Sequence, residues 1–483
     1  MLIDCLPLAT PYDPAEDPPS SIDPLGTVAS AEQLADILLP GLTARMWRAR
    51  HLTFTALAAL VGERAAAIEG GSEEMRLEAR LGLERLFVSA VAWKDESKEE
   101  GWGHAARRLP GIGLARRAIR AGHQPLSRQN FLKGQAINGP FGVVQRLARN
   151  LDVIDDDNRL SRNGEELLLA WSAERELAGI LDDMNSKSQG AKWLGRLIGY
   201  VVDHVKKGTW PNNGWWGWTD LAVYLRPDQA GSREKRVLFG LLTSESNVPR
   251  KRCIDLLLSP DILSGYKTVT ATGSRGDLDR AILAQQIDSH VRAGDDEVDR
   301  LIRYAVALIE AYEQVSGYLE STFRGLMWAL TRRGGRSTGD DLLGDSTVLS
   351  HLAATRRKLT GVAERFQSLM SQLSDHPQVL DAVNQERLDR LMQDAVDSLT
   401  AERALVDAVM GRHKRVQEQK RKGVWIEQDH PYWTLMPGFG DSSDAPWSHG
   451  GAYLHPFRVS NAYSLLSDLG KVHGVEVPYG EED

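Results

Sequence analysis

The chain has 483 residues, a formal net charge of −8 and two cysteines. This length predicts two to four domains with substantial hydrophobic cores. Two cysteines exclude a disulfide framework and a thiolate metal site, and the sequence contains neither an apolar run of 18 residues nor a signal-like N-terminus. We therefore expect a cytoplasmic protein with no membrane partner.

The N-terminal hundred residues predict an extended arm and three helices. Residues 5–30 are rich in Pro, Asp and Ser, which favours an arm. Ser30 is the predicted N-cap of the first helix. Apolar side chains at helical spacing predict two further helices, over 42–63 and 76–93.

Three arginines lie in the first turns of the helix predicted over residues 42–63. Arg45, Arg48 and Arg50 are close enough together to line a phosphate-facing groove. Arginines on a helix are also commonly solvated or paired with acids such as Glu69. The sequence leaves both interpretations open, and solvation or pairing with acids is the simpler one.

The segment from Gly101 to Leu151 has the most unusual charge pattern. Its 51 residues hold nine Arg or Lys and no Asp or Glu, although the whole chain is acidic. Positive charge concentrated on one segment of an acidic protein is typical of a local phosphate-binding face. The cations are Arg107, Arg108, Arg116, Arg117, Arg120, Arg128, Lys133, Arg146 and Arg149.

The end of this basic segment, together with the residues after it, predicts a winged helix-turn-helix. A helix follows Gly139, short strands are expected at 151–154 and 159–161, and another helix starts after Gly164. In a winged helix, the helix before the hairpin enters the major groove and the wing contacts phosphate. The acidic turn at 155–157 favours the alternative, a winged helix that binds protein.

Four tryptophans lie within nine residues of the loop before residue 219. Trp210, Trp215, Trp216 and Trp218 could stack on unpaired bases, or they could anchor the loop on the helical body. We favour the anchor, because no Lys or Arg lies between the rings.

Long helices dominate the second half of the chain. An apolar stripe over about 36 residues predicts a helix that starts at Asp295. Two further long helices are expected at about 346–374 and 378–420, and together the three resemble an antiparallel bundle. The basic run at 412–422 is either a solvated helix end or a second phosphate contact. The aromatic C-terminal segment then predicts a strand at 424–426 and a final short helix.

No catalytic motif is present. The twelve histidines form no metal-binding spacing, and the chain has no P-loop, kinase, GxSxG or dinucleotide-binding motif. His430, His449 and His455 share one aromatic-rich region, where a hidden metal or acid–base site is the alternative. We expect no catalytic residue, no metal and no cofactor.

Three stretches carry a resemblance to a bacterial protein family of unknown function: ILLPGLTARMWRARHLTF, GWTDLAVYLRPDQAGSREKRVL and RHKRVQEQKRKGVW with YLHPFRV. The chain departs from that family at residues 51–53, where members have aromatics, and at Ser161, where they often have Thr. Members are encoded in anti-phage defence islands beside helicases and phospholipase D-like nucleases. The resemblance implies a non-catalytic subunit that works with DNA-processing enzymes, and it transfers no active site.

We predict a mainly α, multi-helical fold with an embedded winged helix-turn-helix, a long C-terminal helical bundle and a small irregular C-terminal segment. The predicted division is an N-terminal arm and helical domain (1–100), a basic winged-helix-like domain (101–175), a central helical domain with the Trp-rich loop (176–294), a long-helix bundle (295–422) and an aromatic-rich segment (423–483).

The leading hypothesis is a non-catalytic DNA-binding subunit of a multi-protein bacterial anti-phage defence system. Its basic winged-helix region would hold DNA, and its long helices would dock a partner such as a helicase, nuclease or ATPase. One alternative is a kleisin-like adaptor of an ATPase complex without direct DNA contact, and a second is a metal-dependent nuclease. The predicted nucleic-acid-binding residues are Arg116, Arg117, Arg120, Arg128, Lys133, Gln145, Arg146, Arg149, Arg159 and Arg162.

Overall fold

The computed structural model describes residues 23–98, 100–122, 124–208, 214–270, 296–450, 454–455 and 458–475. Over these residues the chain is mainly helical, which confirms the predicted fold class. None of the described helices has both the length and the apolar character that crossing a membrane requires. In chain order, the helices are α1 (Val28–Leu38), α2 (His51–Ile68), α3 (Glu73–Glu96), α4 (Trp102–Ala106), α5 (Ile112–Arg120), α6 (Gln135–Asn138), α7 (Pro140–Asn150), α8 (Arg162–Ala173), α9 (Gln189–Lys207), α10 (Gly217–Tyr224), α11 (Ser232–Leu242), α12 (Val248–Leu257), α13 (Pro260–Thr270), α14 (Glu297–Arg332), α15 (Gly339–Gly344), α16 (Ser346–Ser371), α17 (Pro377–Ala382), α18 (Gln385–Asp397), α19 (Glu402–Lys420) and α20 (Val459–Asp468), and the strands are β1 (Arg336–Thr338), β2 (Ile426–Asp429) and β3 (Tyr432–Leu435).

The chain forms two compact units, each built from two separate stretches. The long-helix unit contains Met1–Ile37 and Asp279–Phe457, and the central unit contains Leu38–Leu278 and Arg458–Asp483. The sequence led us to five consecutive segments, because local composition does not reveal which distant stretches pack together. Among the predicted boundaries, the one near residue 294 lies closest to a change of unit.

α2 forms the core of the central unit. Fourteen of its 18 residues are buried, so nearly its whole circumference is covered. A helix that is apolar on all sides belongs in the interior of a large unit. Helices α3, α7, α8 and α9 pack around it, and Phe54 of α2 stacks on Phe87 of α3 at a ring distance of 4.5 Å.

Two helices begin at positions other than those predicted. α2 begins at His51 rather than at residue 42, because the side-chain amide of Asn461 donates hydrogen bonds to the carbonyls of Ala44 (3.0 Å) and Met46 (2.9 Å). α1 begins at Val28, ahead of the predicted Ser30 cap. At the start of α2, a partner outside the predicted helix therefore sets the first residue.

The helix–hairpin–helix order predicted for the winged helix is present, but the two predicted strands are not. Within the described chain, this hairpin contains one antiparallel bridge, between Ile154 and Leu160. α8 starts at Arg162, directly after the bridge. A Cβ added at Gly164 would lie 2.2 Å from the carbonyl oxygen of Val153. α8 therefore packs closely against the first arm of the hairpin, and the wing is smaller than predicted.

The Trp-rich loop is anchored on the helical body. Trp215 and Trp218 are buried, and Trp218 stacks on Trp93 of α3 at a ring distance of 5.4 Å. The guanidinium of Arg196 lies over the Trp216 ring. These contacts confirm the predicted anchoring for the three tryptophans in the described chain, while Trp210 lies outside it.

α14 is the central helix of the long-helix unit. It spans 36 residues, and its N-cap Asp296 accepts a hydrogen bond from the backbone N–H of Asp299 at 2.7 Å. Leu319, Phe323 and Leu326 on its apolar stripe are completely buried. The predicted helix from residue 295 is therefore confirmed, and α16, α18 and α19 pack against it.

The predicted helix over 378–420 is three helices, α17, α18 and α19. Asn384 caps α18 by accepting a hydrogen bond from the backbone N–H of Arg387 at 3.0 Å. At the other end of α18, the Ser398 hydroxyl donates to the Ala395 carbonyl at 2.6 Å, and α19 begins at Glu402. The side-chain hydrogen bonds of Asn384 and Ser398 therefore interrupt the predicted helix, although its apolar pattern continues through both positions.

A small antiparallel sheet, with the order β1-β3-β2, completes the long-helix unit. Trp433 of the middle strand lies opposite Ser337 of β1 and Gln428 of β2. The strand predicted at 424–426 is β2, which begins at Ile426.

Candidate nucleic-acid interface

The basic segment Gly101–Leu151 folds against α3. α4 and α5 each follow a glycine in the left-handed conformation, Gly101 (φ 79°) and Gly111 (φ 84°). A Cβ at Gly111 would lie 2.3 Å from the ring of Phe131, so the turn closes only around a glycine. The turn directs α5 onto α3, which places the arginines of α5 beside that helix.

Four of the ten predicted nucleic-acid-binding residues form ion pairs with carboxylates of α3. The acid-free segment therefore lies next to acids that another helix supplies. The sequence prediction missed these partners because it counted acids only within the segment. The pairs are Arg116–Asp95 (2.7 Å), Arg120–Glu96 (2.8 Å), Arg159–Glu73 (2.8 Å) and Arg128–Glu78.

These pairs differ in how far they are removed from water. The side chain of Arg116 is 23% exposed, while those of Arg120 and Arg128 are 66% and 60% exposed. The hydrogen bond from Arg120 lowers the pKa of Glu96, so this acid stays ionised. Ion pairs in such exposed positions are screened by water and salt and contribute little to stability. Glu96 and Glu78 consequently hold Arg120 and Arg128 only weakly.

The polar face of α7 is turned toward the hairpin. Gln145 donates its side-chain amide N–H to the Oδ1 atom of Asn158, and Arg149 donates to the same atom at 3.0 Å. Two of the three residues predicted to project from this helix therefore contact the hairpin tip. The third, Arg146, is exposed.

Three of the predicted cations are exposed and, among the residues that the structure describes, have neither an ion pair nor a side-chain hydrogen bond. Arg117 lies on α5, Lys133 lies in the turn before α6, and Arg162 opens α8. Arg45, one of the three arginines in the helix predicted over 42–63, is also exposed and donates to the side-chain oxygen of Asn138 at 2.8 Å. All four side chains are therefore accessible to a phosphate group in solution.

The other two arginines of that N-terminal group are buried. Arg48 pairs with Asp468 at 3.0 Å, and Arg50 pairs with Glu234 at 2.9 Å. For both, the interpretation as a phosphate-facing groove is wrong, and pairing with acids is right. Both partners are distant in the sequence, and neither is one of the nearby acids, such as Glu69, that the sequence suggested.

A buried carboxyl, Glu84, supports the start of α7. Its oxygens accept hydrogen bonds from the Phe141 backbone N–H and from the Gln135 side chain, both at 2.8 Å. Burial raises the pKa of Glu84 to about 7, although the hydrogen bonds and the nearby arginines oppose that shift. This residue positions α7, and sequence reasoning did not identify it.

The histidine region forms no metal centre in the described part of the chain. His455 Nδ1 lies 2.6 Å from Glu313 Oε2, and its Nε2 lies 3.0 Å from the Thr27 hydroxyl. His449 is buried and lies edge-on to the Tyr318 ring, while His430 is exposed. The histidines proposed for a metal site therefore have separate surroundings.

Comparison with known proteins adds no assignment. No family model, no curated protein and no solved structure matches this chain.

Proposed function

We propose that this chain is a non-catalytic nucleic-acid-binding protein that holds DNA on the basic face of its central unit. The supporting observation is the exposure of the cations in Gly101–Leu151. Of the nine Arg and Lys residues there, seven are exposed: Arg107, Arg117, Arg120, Arg128, Lys133, Arg146 and Arg149. Exposed cations can contact phosphate without moving any part of the core.

The ion pairs with α3 are compatible with this proposal. An exposed arginine gains little from an exposed carboxylate, since water and salt screen both charges. A phosphate of DNA offers the same arginine two oxygens and releases a condensed counterion. Arg120 and Arg128 would therefore exchange Glu96 and Glu78 for phosphate. Sequence-specific contacts are not part of the proposal, because Gln145 and Arg149 bond to the hairpin.

The resemblance to a family from anti-phage defence islands supports the wider role of a subunit beside a helicase, nuclease or ATPase. α14 is buried along most of its length, so it is not a docking surface by itself. A partner would contact the exposed faces of the outer helices α16 and α18 instead.

A salt titration of DNA binding tests the proposal. Fluorescence anisotropy with a short duplex should give a log–log slope of about −3 or steeper between about 50 and 200 mM salt. The double variant Arg117→Glu with Lys133→Glu should bind at least tenfold more weakly. Arg403→Glu, an exposed arginine of the other unit, is the matched control. Absence of binding at low salt, or a slope near zero, would overturn the proposal.

A second candidate function is an adaptor that binds protein and touches DNA only through its partners. The specific observation is the acidic hairpin tip, where Asp155, Asp156 and Asp157 are exposed beside α7. Carboxylates repel a phosphate backbone and fit a basic protein surface. The adaptor would be favoured if the protein forms a stable complex with an ATPase and the isolated protein does not bind DNA.

A further inference from the structure

A cationic pocket lies in the long-helix unit, whereas the basic face belongs to the central unit. Its volume is about 240 Å³, and it is bounded by α18, by α19 and by the residues around the start of α1. Arg387 and Arg390 are three residues apart, as are Arg412 and Arg415, so the members of each pair lie on one side of their helix. The charged side chains that line it are Arg387 and Arg390 of α18, Arg412, Arg415 and Lys420 of α19, and Asp23.

The pocket has more positive than negative charge. Asp394 pairs with both Arg412 (2.9 Å) and Arg415 (2.5 Å), and it is the main acid beside the pocket. The other contacting acids are Asp23, which lies 3.4 Å from the Lys420 amine, and Glu386, which pairs with Arg390. Five cations therefore face three carboxylates, which leaves an excess of two positive charges.

One cation of the pocket has no acid of its own. Within the described residues, the guanidinium of Arg387 forms no ion pair, although its backbone N–H is bonded to the Asn384 cap. Its side chain is exposed, so water compensates its charge at present. The guanidinium of Arg387 could therefore pair with an anion in the pocket without breaking an existing ion pair.

The opposite wall of the pocket is rigid. The side chain of Arg412 is only 9% exposed, and its Nε donates to the Leu25 carbonyl at 2.6 Å. Asp394 fixes Arg412 and Arg415 together. An arginine carries five N–H donors, so each of these side chains keeps donors that its present partners do not use. A fixed arginine with free donors binds an oxyanion without first losing much side-chain entropy.

We infer that this pocket binds a phosphate monoester, the terminal phosphate of a nucleic-acid strand, and this inference rests on the proposed function. A phosphodiester within a strand carries one negative charge, whereas a terminal monoester carries about −1.5 to −2 at neutral pH. The monoester matches the excess of two positive charges. A pocket also admits the end of a strand, while a continuous backbone needs a groove open at both ends.

Strands that differ only at their ends test the inference. Anisotropy is measured with one single-stranded oligonucleotide that carries a 5′-phosphate, a 3′-phosphate or no terminal phosphate. One of the phosphorylated strands should bind at least fivefold more tightly than the strand without phosphate, and the tighter arm identifies the end that binds. The double variant Arg387→Ala with Arg390→Ala should lose this preference. Arg403→Ala, which removes an exposed arginine of α19 outside the pocket, should retain it.

The possible failures are distinguishable. If all three strands bind equally well to the wild type, the pocket inference is wrong and the proposed function stands. Titration calorimetry with adenosine monophosphate provides the second measurement. If the nucleotide binds to the wild type and not to the double variant while no strand binds, the phosphate site stands and the proposed function is wrong. Circular dichroism of both variants checks that they fold.

Discussion

Glu313 holds His455 with both of its carboxylate oxygens. The Oε2 atom lies 2.6 Å from the imidazole Nδ1, and Oε1 accepts the backbone N–H of His455 at 3.2 Å. Burial by itself lowers the pKa of this histidine, but the attraction and hydrogen bond of Glu313, with Asp23 and Glu320 nearby, raise it above the ordinary value. The folded long-helix unit therefore favours the charged imidazolium.

This pair predicts a loss of stability as the pH rises. Because the pKa in the folded state is raised, the contribution of His455 is fully present below its unfolded pKa of about 6.5. It is lost as the pH increases through the folded pKa. Glu313→Gln should lower the free energy of unfolding by about 3 kcal/mol at pH 6, and by less at pH 8.5. Urea unfolding at both pH values checks the prediction, and equal losses at the two would contradict it.

Glu84 predicts a second pH effect in the central unit. Its pKa rises from about 4.3 in the unfolded chain to about 7 in the folded one. The folded state therefore prefers the protonated carboxyl, and stability falls as the pH rises between these two values. Glu84→Gln keeps an acceptor for the Phe141 N–H and cannot ionise, so the decrease should disappear. The measurement is the urea midpoint between about pH 5 and 8, with Glu165→Gln on the exposed side of α8 as control. A decrease of unchanged size in the Glu84 variant would refute the assignment.

The proposed DNA face predicts that removing acids strengthens binding. Glu96→Gln and Glu78→Gln release Arg120 and Arg128 from their partners. Since these exposed pairs are weak, we expect each change to tighten DNA binding by up to about fivefold. Anisotropy at low salt is the measurement, with Asp407→Asn on α19 as the matched control. Unchanged affinity in both glutamate variants would mean that these arginines do not contact DNA.

The buried pair of Arg50 and Glu234 predicts a large loss of stability. Their side chains are 1% and 0% exposed, and the Thr53 hydroxyl donates to Glu234 at 2.6 Å. Glu234→Gln leaves the Arg50 charge buried without a counterion, which typically costs about 3–5 kcal/mol. Thermal unfolding should show this loss. Arg233→Gln next to it is exposed and should be neutral, and a loss under about 1 kcal/mol for Glu234→Gln would show that water reaches the pair.

The helices could be predicted where the signal is local. α14 begins within two residues of the predicted position, since the apolar stripe and the aspartates lie in one stretch of sequence. The start of α2 could not be predicted, because the distant Asn461 donates hydrogen bonds to the carbonyls of Ala44 and Met46.

The candidate interface shows the same limit for charge. A count of acids between Gly101 and Leu151 is correct for the sequence, but Asp95 and Glu96 reach Arg116 and Arg120 from the preceding helix. The cationic pocket combines α18 and α19 with Asp23, which is hundreds of residues away in the chain. The tertiary fold brings these charged residues together, so the pattern within one short stretch of sequence cannot predict which of them are neighbours.

The division of the central unit over two stretches has a consequence for its synthesis on the ribosome. Asn461 donates hydrogen bonds to two backbone carbonyls, and Asp468 pairs with Arg48. Both residues lie in the second stretch of the central unit, which begins at Arg458. These residues are translated only after the whole of Asp279–Phe457 has been made. The nascent central unit therefore lacks the hydrogen bonds of Asn461 and the ion pair of Asp468 until this last stretch has left the ribosome.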